Sequence, residues 1–236
     1  MIRAVNLLSG GIDSLTCLAI ANSKYHREEI FALSLHYGQK HSRELGAAAR
    51  IAAHYDVSHQ IMSLNQDLFK GAGSTLIDPG AETPSETYAS MDAKTEGISP
   101  TYIPFRNGNL LSAATALALT LHEEGQEPIE LYYGAHAEDS ANWAYPDCTP
   151  EFNGAMANAI YIGSHRRVRL VTPLQWMEKS VVVEMASLLS APLHLSYSCY
   201  RGGENHCGTC PTCIARSAAF HFAGLSDPTT YDQEPG

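Results

Sequence analysis

The chain has 236 residues, 44% hydrophobic and 17% charged, which suits one large domain, or a domain with a small appendage, and excludes a disordered polymer. Fifteen Lys and Arg stand against 25 Asp and Glu, and this net charge of −10 argues against general nucleic-acid binding, so no nucleic-acid partner is expected. No stretch reaches the ~20 apolar residues of a membrane helix; the longest candidate, 110–121, is interrupted by Ser112 and Thr115, so no membrane partner is expected.

The opening residues Met1-Ile2-Arg3-Ala4-Val5 lack a signal-peptide layout and run straight into a strand-like segment, which implies the cytoplasm. Residues 4–8 read as a buried strand, 13–25 as a helix and 30–35 as a second strand. Residues 41–55 read as a helix with an alanine-rich face, and 57–64 as a third strand. From 68 to 102 the periodicity is poor and Gly, Ser, Thr and Pro are common, the composition of a functional lid or mobile loop. A long helix follows at 107–124, a fourth strand at 129–133 and a polar, aromatic loop at 139–150. A helix at 150–162, a fifth strand at 168–172 and a helix at 178–189 complete the alternation. Strands separated by helices predict right-handed crossovers and an α/β fold: an open doubly wound parallel sheet of about five strands. Beyond 190 the pattern changes to cysteines, glycines and a short helix at 213–223, which divides the chain into a main α/β domain, 1–190, and a small cysteine module with its tail, 191–236.

Ser9-Gly10-Gly11-Ile12-Asp13-Ser14 falls between the first strand and the first helix, where open α/β sheets bind ligands. Two glycines let backbone approach a phosphate, Ser9 and Ser14 add hydroxyls, and the helix start offers unpaired N–H groups and a positive dipole end. Asp13 does not suit an anion directly; it suits Mg2+ held on phosphates, directly or through water. The spacing is neither the dinucleotide fingerprint nor the Walker loop, and an ordinary Gly-Gly turn capped by Asp13 is the plain alternative.

Six cysteines are present, and Cys199, Cys207, Cys210 and Cys213 fall within fifteen residues. In a reducing compartment such a cluster holds metal rather than disulfides. CxxC spacing lets two thiolates grip one ion from a tight turn, and four thiolates with no open position describe structural Zn2+. An iron–sulfur cluster is the rival, disfavoured because nothing else in the chain suggests redox chemistry. His206 adjoins the cluster and can compete as a ligand. Cys17 reads as core. Cys148 reads as a buried packing residue, since no histidine arrangement activates it.

The loop matches the SGGxDS motif of the PP-loop ATP pyrophosphatases. With it come His36-Tyr37-Gly38-Gln39, Tyr102-Ile103-Pro104-Phe105-Arg106-Asn107, Tyr145-Pro146-Asp147-Cys148-Thr149-Pro150-Glu151-Phe152, Ser198-Cys199-Tyr200 and Cys207-Gly208-Thr209-Cys210. On these residues the chain resembles the 7-cyano-7-deazaguanine synthase (QueC) family over nearly its full length. The resemblance implies an adenine nucleotide alpha hydrolase-like, Rossmann-like fold. It also implies ATP-dependent conversion of 7-carboxy-7-deazaguanine and ammonia to the nitrile, by adenylation of the carboxylate and then of the amide, in queuosine and deazapurine biosynthesis. A homodimer is implied as well.

The resemblance assigns the nucleotide to Leu8, Ser9, Gly10, Gly11, Ile12, Asp13, Ser14, Leu15, Thr16, Cys17 and Leu18, with Asp13, Arg106 and Lys179 catalytic. Arg106 is a planar fork suited to a carboxylate or phosphate, supported by Asn107. Lys179 can approach the developing phosphorane charge, or stand as a solvated lysine near a helix start. Tyr37, Gln39, Arg106, Asn107, Tyr145, Asp147 and Glu151 are the substrate residues, Tyr145 stacking on the deazapurine and Asp147 pairing with its guanidine-like edge; a turn that binds nothing is the alternative for that pair. His36, His41 and His136 sit near strand ends and can approach the pocket. Asp139-Ser140-Ala141-Asn142-Trp143-Ala144, Phe105 and His36 depart from the family pattern, so Trp143 is expected to reshape the substrate pocket. The rival functions are a relative stopping at the amide or using another acceptor, a tRNA-modifying PP-loop enzyme, a zinc-stabilised nucleotide sensor and an iron–sulfur protein.

Overall fold

The computed structural model describes residues 1–40, 43–78, 80–88, 90–91 and 98–236. Five strands form one sheet: β1 (Ala4–Leu7), β2 (Ile30–His36), β3 (Ser58–Ser63), β4 (Ile129–Tyr132) and β5 (Val168–Val171). Their order is β3-β2-β1-β4-β5 and every pair is parallel, with Ala4 opposite both Ile30 and Glu130. β1 is buried along its whole length because it has a strand on each side and helices on both faces. β3, at an edge, leaves most of its side chains exposed or half-exposed.

Alternation along the strands separates two cores. Ala4, Ile30, Ala32 and Tyr132 face one side, with α1 (Ile12–Lys24), α2 (Arg43–Tyr55), α5 (Lys179–Leu188) and α6 (Pro211–Phe222). Val5, Leu7, Leu33, Leu35, Ile129 and Leu131 face the other, with α3 (Arg106–Leu121) and α4 (Pro150–Gly163). In α3, Leu111, Ala114 and Ala118 recur at helical spacing and are fully buried. Truncating a residue such as Leu111 to Ala is expected to cost ~2–5 kcal/mol. Thr149 starts α4, its hydroxyl accepting the Phe152 N–H at 3.2 Å ahead of Pro150 in the first turn.

Asn6 is the polar exception in β1: it is fully buried, and its Nδ2 donates to Ser14 O at 3.1 Å, tying α1 to the sheet. Connections leave β1 and β4 in opposite directions along the sheet, so a crevice opens between their carboxyl ends.

The expected elements are present with small differences at their ends. The helix expected at 41–55 is described from Arg43, since 41–42 lie outside the described residues. Helix α3 stops at Leu121, where His122 adopts an extended backbone. The loop expected at 139–150 contains two tight 3-10 turns, Ala137–Trp143 and Pro146–Cys148. Within 68–102, described parts are tied together by Thr75 N–H to Pro100 O at 3.1 Å and Ser74 Oγ to Thr101 O at 3.1 Å. No helix among the described residues is long and apolar enough to cross a membrane.

Candidate active site and metal centre

The turn after β1 is built by its own hydroxyls. The Ser9 N–H donates to Ser14 Oγ at 3.1 Å, the two Oγ atoms lie 3.0 Å apart, and Ser14 Oγ donates to Gly11 O at 3.0 Å. Gly10 has φ +95°, and a Cβ there would stand 2.2 Å from the Glu44 carbonyl oxygen of α2. Only glycine permits both that conformation and that approach. Gly11 is the N-cap of α1; its own N–H donates to Ser9 Oγ at 3.3 Å, and it has no side chain to cap the N–H groups of the first turn that follows, which suits them to a ligand.

Asp13 opens onto the crevice with a quarter of its side chain exposed. Lys179 Nζ reaches both carboxylate oxygens, at 2.5 and 2.6 Å, and lies 3.3 Å from His136 Nε2. His136 Nε2 is in turn 3.3 Å from Asp139 and 4.0 Å from Asp13. Burial alone would raise the Asp13 carboxyl, but the charge of Lys179 and the neighbouring His136 hold it below the ordinary carboxylate value. Lys179 is therefore paired rather than solvated. Glu138 fixes its position by accepting the Lys179 backbone N–H at 2.7 Å, at the first residue of α5.

Across the crevice, a cavity of about 290 Å³ is lined by the loop residues, by apolar Leu33 and Leu35, and by Tyr37, Gln39, Glu44, Arg106 and Asn107. Arg106 Nη1 donates to Tyr37 OH at 3.4 Å, its Nε donates to Asn107 Oδ1 at 3.2 Å, and its guanidinium lies 5.6 Å from the Tyr37 ring centre. Among the described residues Arg106 has no carboxylate within 4.0 Å, which leaves a planar cation open to an anionic ligand. Gln39 Nε2 donates to Glu44 Oε1 at 2.9 Å, and its own Oε1 accepts the Tyr37 N–H at 2.8 Å. Burial raises the Glu44 carboxyl to about 7, against the opposing pull of Gln39 and Arg106.

Several expected site residues lie elsewhere. Leu15, Thr16, Cys17 and Leu18 are buried along α1 in the core, away from the cavity, because the helix turns them toward the sheet. Asp147, 3% exposed, caps α3: its Oδ2 accepts the Asn107 N–H at 2.8 Å. Tyr145 bonds through its hydroxyl to Thr101 and Ser99, and Glu151 is exposed in the first turn of α4, where a carboxylate complements the helix dipole. None of these three lines the cavity. Trp143 is 60% exposed with φ +62° and is not among the residues that line it either. His36 bonds to Gln66 at 3.3 Å outside the cavity, and His41 lies outside the described residues. Cys148 is buried as expected and does form cavity wall, with burial pushing its thiol well up. Sequence reading missed Glu44, Tyr133, Tyr197 and Tyr200, which line the cavity. The acidic first turn of α2 was the only local signal for Glu44.

The four C-terminal cysteines bring their sulfurs within 4.8 Å of one another. Cys213 Sγ is 3.9 Å from Cys207 Sγ and 3.4 Å from Cys210 Sγ. A tetrahedral ion with metal–sulfur bonds of ~2.3 Å needs sulfurs roughly 3.8 Å apart, so the set fits one four-coordinate metal. Backbone N–H groups of Arg201 and Cys207 point at Cys199 Sγ, both at 3.4 Å, and those of Thr209 and Cys210 point at Cys207 Sγ at 3.4 and 3.3 Å. Such donors favour thiolates. His206 is not among the groups that converge on the metal position, and its Nε2 accepts the Ser198 N–H at 3.2 Å. The chain's end seals the knuckle, with Asp232 N–H bonded to His206 O at 2.8 Å and Gln233 O packed so close that a Cβ on Gly208 would stand 1.7 Å from it.

The two centres touch. The Tyr197 N–H, two residues before Cys199, donates to Gly10 O at 2.9 Å, and Tyr197, Ser198, Cys199 and Tyr200 line the cavity.

A glycine loop between strand and helix, at the switch point of a doubly wound parallel sheet, defines an α/β protein with a candidate ligand-binding loop of the PP-loop kind. The chain belongs to the family of the queuosine biosynthesis protein QueC, whose model matches residues 3–224. It is 36% identical over 237 residues to the 7-cyano-7-deazaguanine synthase of Thermoplasma acidophilum, across 99% of this chain and 93% of that one. It is 36% identical over 232 residues to the synthase of that name from Oceanobacillus iheyensis, across 97% and 98% of the two chains. The corresponding protein of Caldicellulosiruptor bescii is 37% identical over 232 residues, across 98% of each chain.

Proposed function

We propose that the chain is a carbon–nitrogen ligase that uses ATP to convert 7-carboxy-7-deazaguanine and ammonia to 7-cyano-7-deazaguanine. The observation that carries this reading is one cavity lined by the Ser9–Ser14 loop and by Arg106, whose guanidinium has no carboxylate within 4.0 Å among the described residues. The synthase relatives, similar over nearly the whole chain, support the same acceptor.

A carboxylate resists attack by ammonia because oxide is a prohibitive leaving group. Transfer of AMP from ATP to a carboxylate oxygen releases pyrophosphate and makes AMP the leaving group. Ammonia then forms the amide, and a second adenylation, on the amide oxygen, lets AMP depart as the nitrile forms. No covalent nucleophile from the protein is needed, which agrees with a Cys148 thiol held protonated. The chain's own tasks are orientation and charge stabilisation. The free N–H groups of the first α1 turn and the Ser9 and Ser14 hydroxyls hold the phosphates, and Arg106, steadied by Tyr37 and Asn107, orients the substrate carboxylate.

Asp13 is the hard oxygen donor for Mg2+, an ion that would neutralise phosphate charge. Its carboxylate is engaged by Lys179, so nucleotide binding must draw the lysine onto the phosphates as Asp13 is released. Cys199, Cys207, Cys210 and Cys213 would hold a structural Zn2+, which adds stability and takes no part in the chemistry. The segment 191–236 acts as a metal-stapled module on the nucleotide domain 1–190, sharing its core through Ala219 and Phe220. Free thiols suit the reducing cytoplasm, and a homodimer is the proposed assembly.

The test is mass spectrometry of the products after zinc-loaded protein is incubated with ATP, magnesium, ammonium and 7-carboxy-7-deazaguanine. Nitrile with AMP and pyrophosphate is expected, and Asp13→Ala should reduce it at least ~100-fold. Amide alone, or no turnover with bound ATP, would refute the reading.

A further inference from the structure

Among the described residues, three carboxylates line the cavity: Asp13, Glu44 and Asp139. Asp13 carries Lys179, and Asp139 lies against His136. Glu44 differs, having no ion-pair partner among the described residues and one hydrogen bond, from the Gln39 amide. Its place relative to the phosphate loop is fixed by backbone, since the Glu44 carbonyl is the group that forbids a side chain on Gly10. Its carboxylate direction is fixed by Gln39, whose own amide is anchored to the Tyr37 N–H and to Leu35 O at 3.4 Å. A partly buried carboxylate held so firmly, facing a site where protons must leave nitrogen, has the geometry of a general base.

We propose that Glu44 is a catalytic residue that accepts the proton released when ammonia attacks the activated carboxylate. This rests on the activation chemistry proposed above. The nitrogen lone pair forms the C–N bond. One N–H bond breaks, its electron pair stays on nitrogen and its proton moves to a Glu44 oxygen. The C–O bond to AMP breaks, and its pair leaves on the phosphate oxygen. Glu44 then returns the proton to solvent. Arg106 from α3, Tyr37 from the turn after β2, and Tyr197, Cys199 and Tyr200 from the segment beyond α5 share the cavity wall with it. The balance of burial against Gln39 and Arg106 sets the Glu44 carboxyl near 7, where a base serves best at neutral pH.

Glu44→Gln and Glu44→Asp, each checked for wild-type metal content and a cooperative thermal transition no lower than that of wild type, separate the two steps. ATP–pyrophosphate exchange with 7-carboxy-7-deazaguanine and no ammonia reports adenylation; amide formation at fixed free ammonia reports the attack. In Glu44→Gln, exchange is expected to fall no more than about threefold and amide formation by ~10²–10⁴-fold. The rise of wild-type amide formation through pH ~7 should vanish in Glu44→Gln, and Glu44→Asp should restore part of both rate and pH dependence. Undiminished amide formation in Glu44→Gln, or an equal loss of exchange, would overturn the role of Glu44. Wild-type protein without exchange would overturn the activation reading, and the proposal with it.

Discussion

The phosphate loop and the cysteine knuckle meet at one crevice and solve opposite problems. In the loop, Ser9 and Ser14 satisfy each other while no N-cap side chain covers the first turn of α1 and Asp13 is paired with Lys179. In the knuckle, four sulfurs converge within 4.8 Å, backbone donors point at them, and the chain's end covers the outside. A site that must release its ligand keeps unpaired donors, and one that must keep its ligand closes around it. The bond from the Tyr197 N–H to Gly10 O lets the closed centre steady the open one.

Breaking the closed centre should have the largest effect. Cys210→Ser is expected to lose bound metal and at least ~3 kcal/mol of stability, read by elemental analysis and thermal unfolding. Nucleotide affinity should fall with it, because Tyr197 leaves Gly10 when the knuckle opens. Metal-free protein with an unchanged melting temperature and unchanged ATP affinity would divorce the two regions.

The open centre can be broken with one methyl group. Gly10→Ala sets a Cβ 2.2 Å from the Glu44 carbonyl at φ +95°, so ATP binding by calorimetry should weaken ~100-fold or more. Gly71→Ala has φ +77° and nothing within 4 Å, so it should cost only ~1–2 kcal/mol of stability and leave ATP binding intact. Equal effects at both glycines would mean that crowding at Gly10 is irrelevant.

A smaller effect sharpens the same contrast. The Glu44 carboxyl is raised in the fold from 4.5 to about 7, so the stability it gives when protonated is fully present below pH ~4.5 and lost as pH rises through ~7. Glu44→Gln should therefore melt at nearly the wild-type temperature at pH 4.5 and higher than wild type at pH 8. A gain at pH 4.5 that disappears at pH 8 would reverse the sign. Smallest of all, Trp143→Ala, at an exposed residue outside the cavity, should change stability by less than ~0.5 kcal/mol and leave the substrate KM alone. A raised KM would restore Trp143 to the pocket.

Local motifs were legible because their groups are neighbours in sequence. Ser9 to Ser14 and the four cysteines each close within one short segment, and alternating apolar runs placed all five strands. Groups that meet through tertiary packing left weaker signs. Glu44 carries no mark in the sequence beyond its place near a helix start, and the contact of α2 with Gly10 brings it to the cavity wall. The Tyr145–Asp147 block, assigned to substrate by resemblance, has protein partners that spacing did not reveal: Asp147 gives a carboxylate oxygen to the start of α3 and Tyr145 bonds to Ser99 and Thr101. Lys179 was assigned to the chemistry by resemblance, but its grip on Asp13, from the far end of the chain, could not be read from spacing.

The most direct measurement follows oxygen. With 7-carboxy-7-deazaguanine carrying 18O in both carboxylate positions, adenylation at each step predicts that both AMP molecules formed per nitrile carry one 18O and that pyrophosphate carries none. Label in pyrophosphate or orthophosphate, or AMP without label while ATP is consumed, would contradict activation of the carboxylate at this phosphate loop.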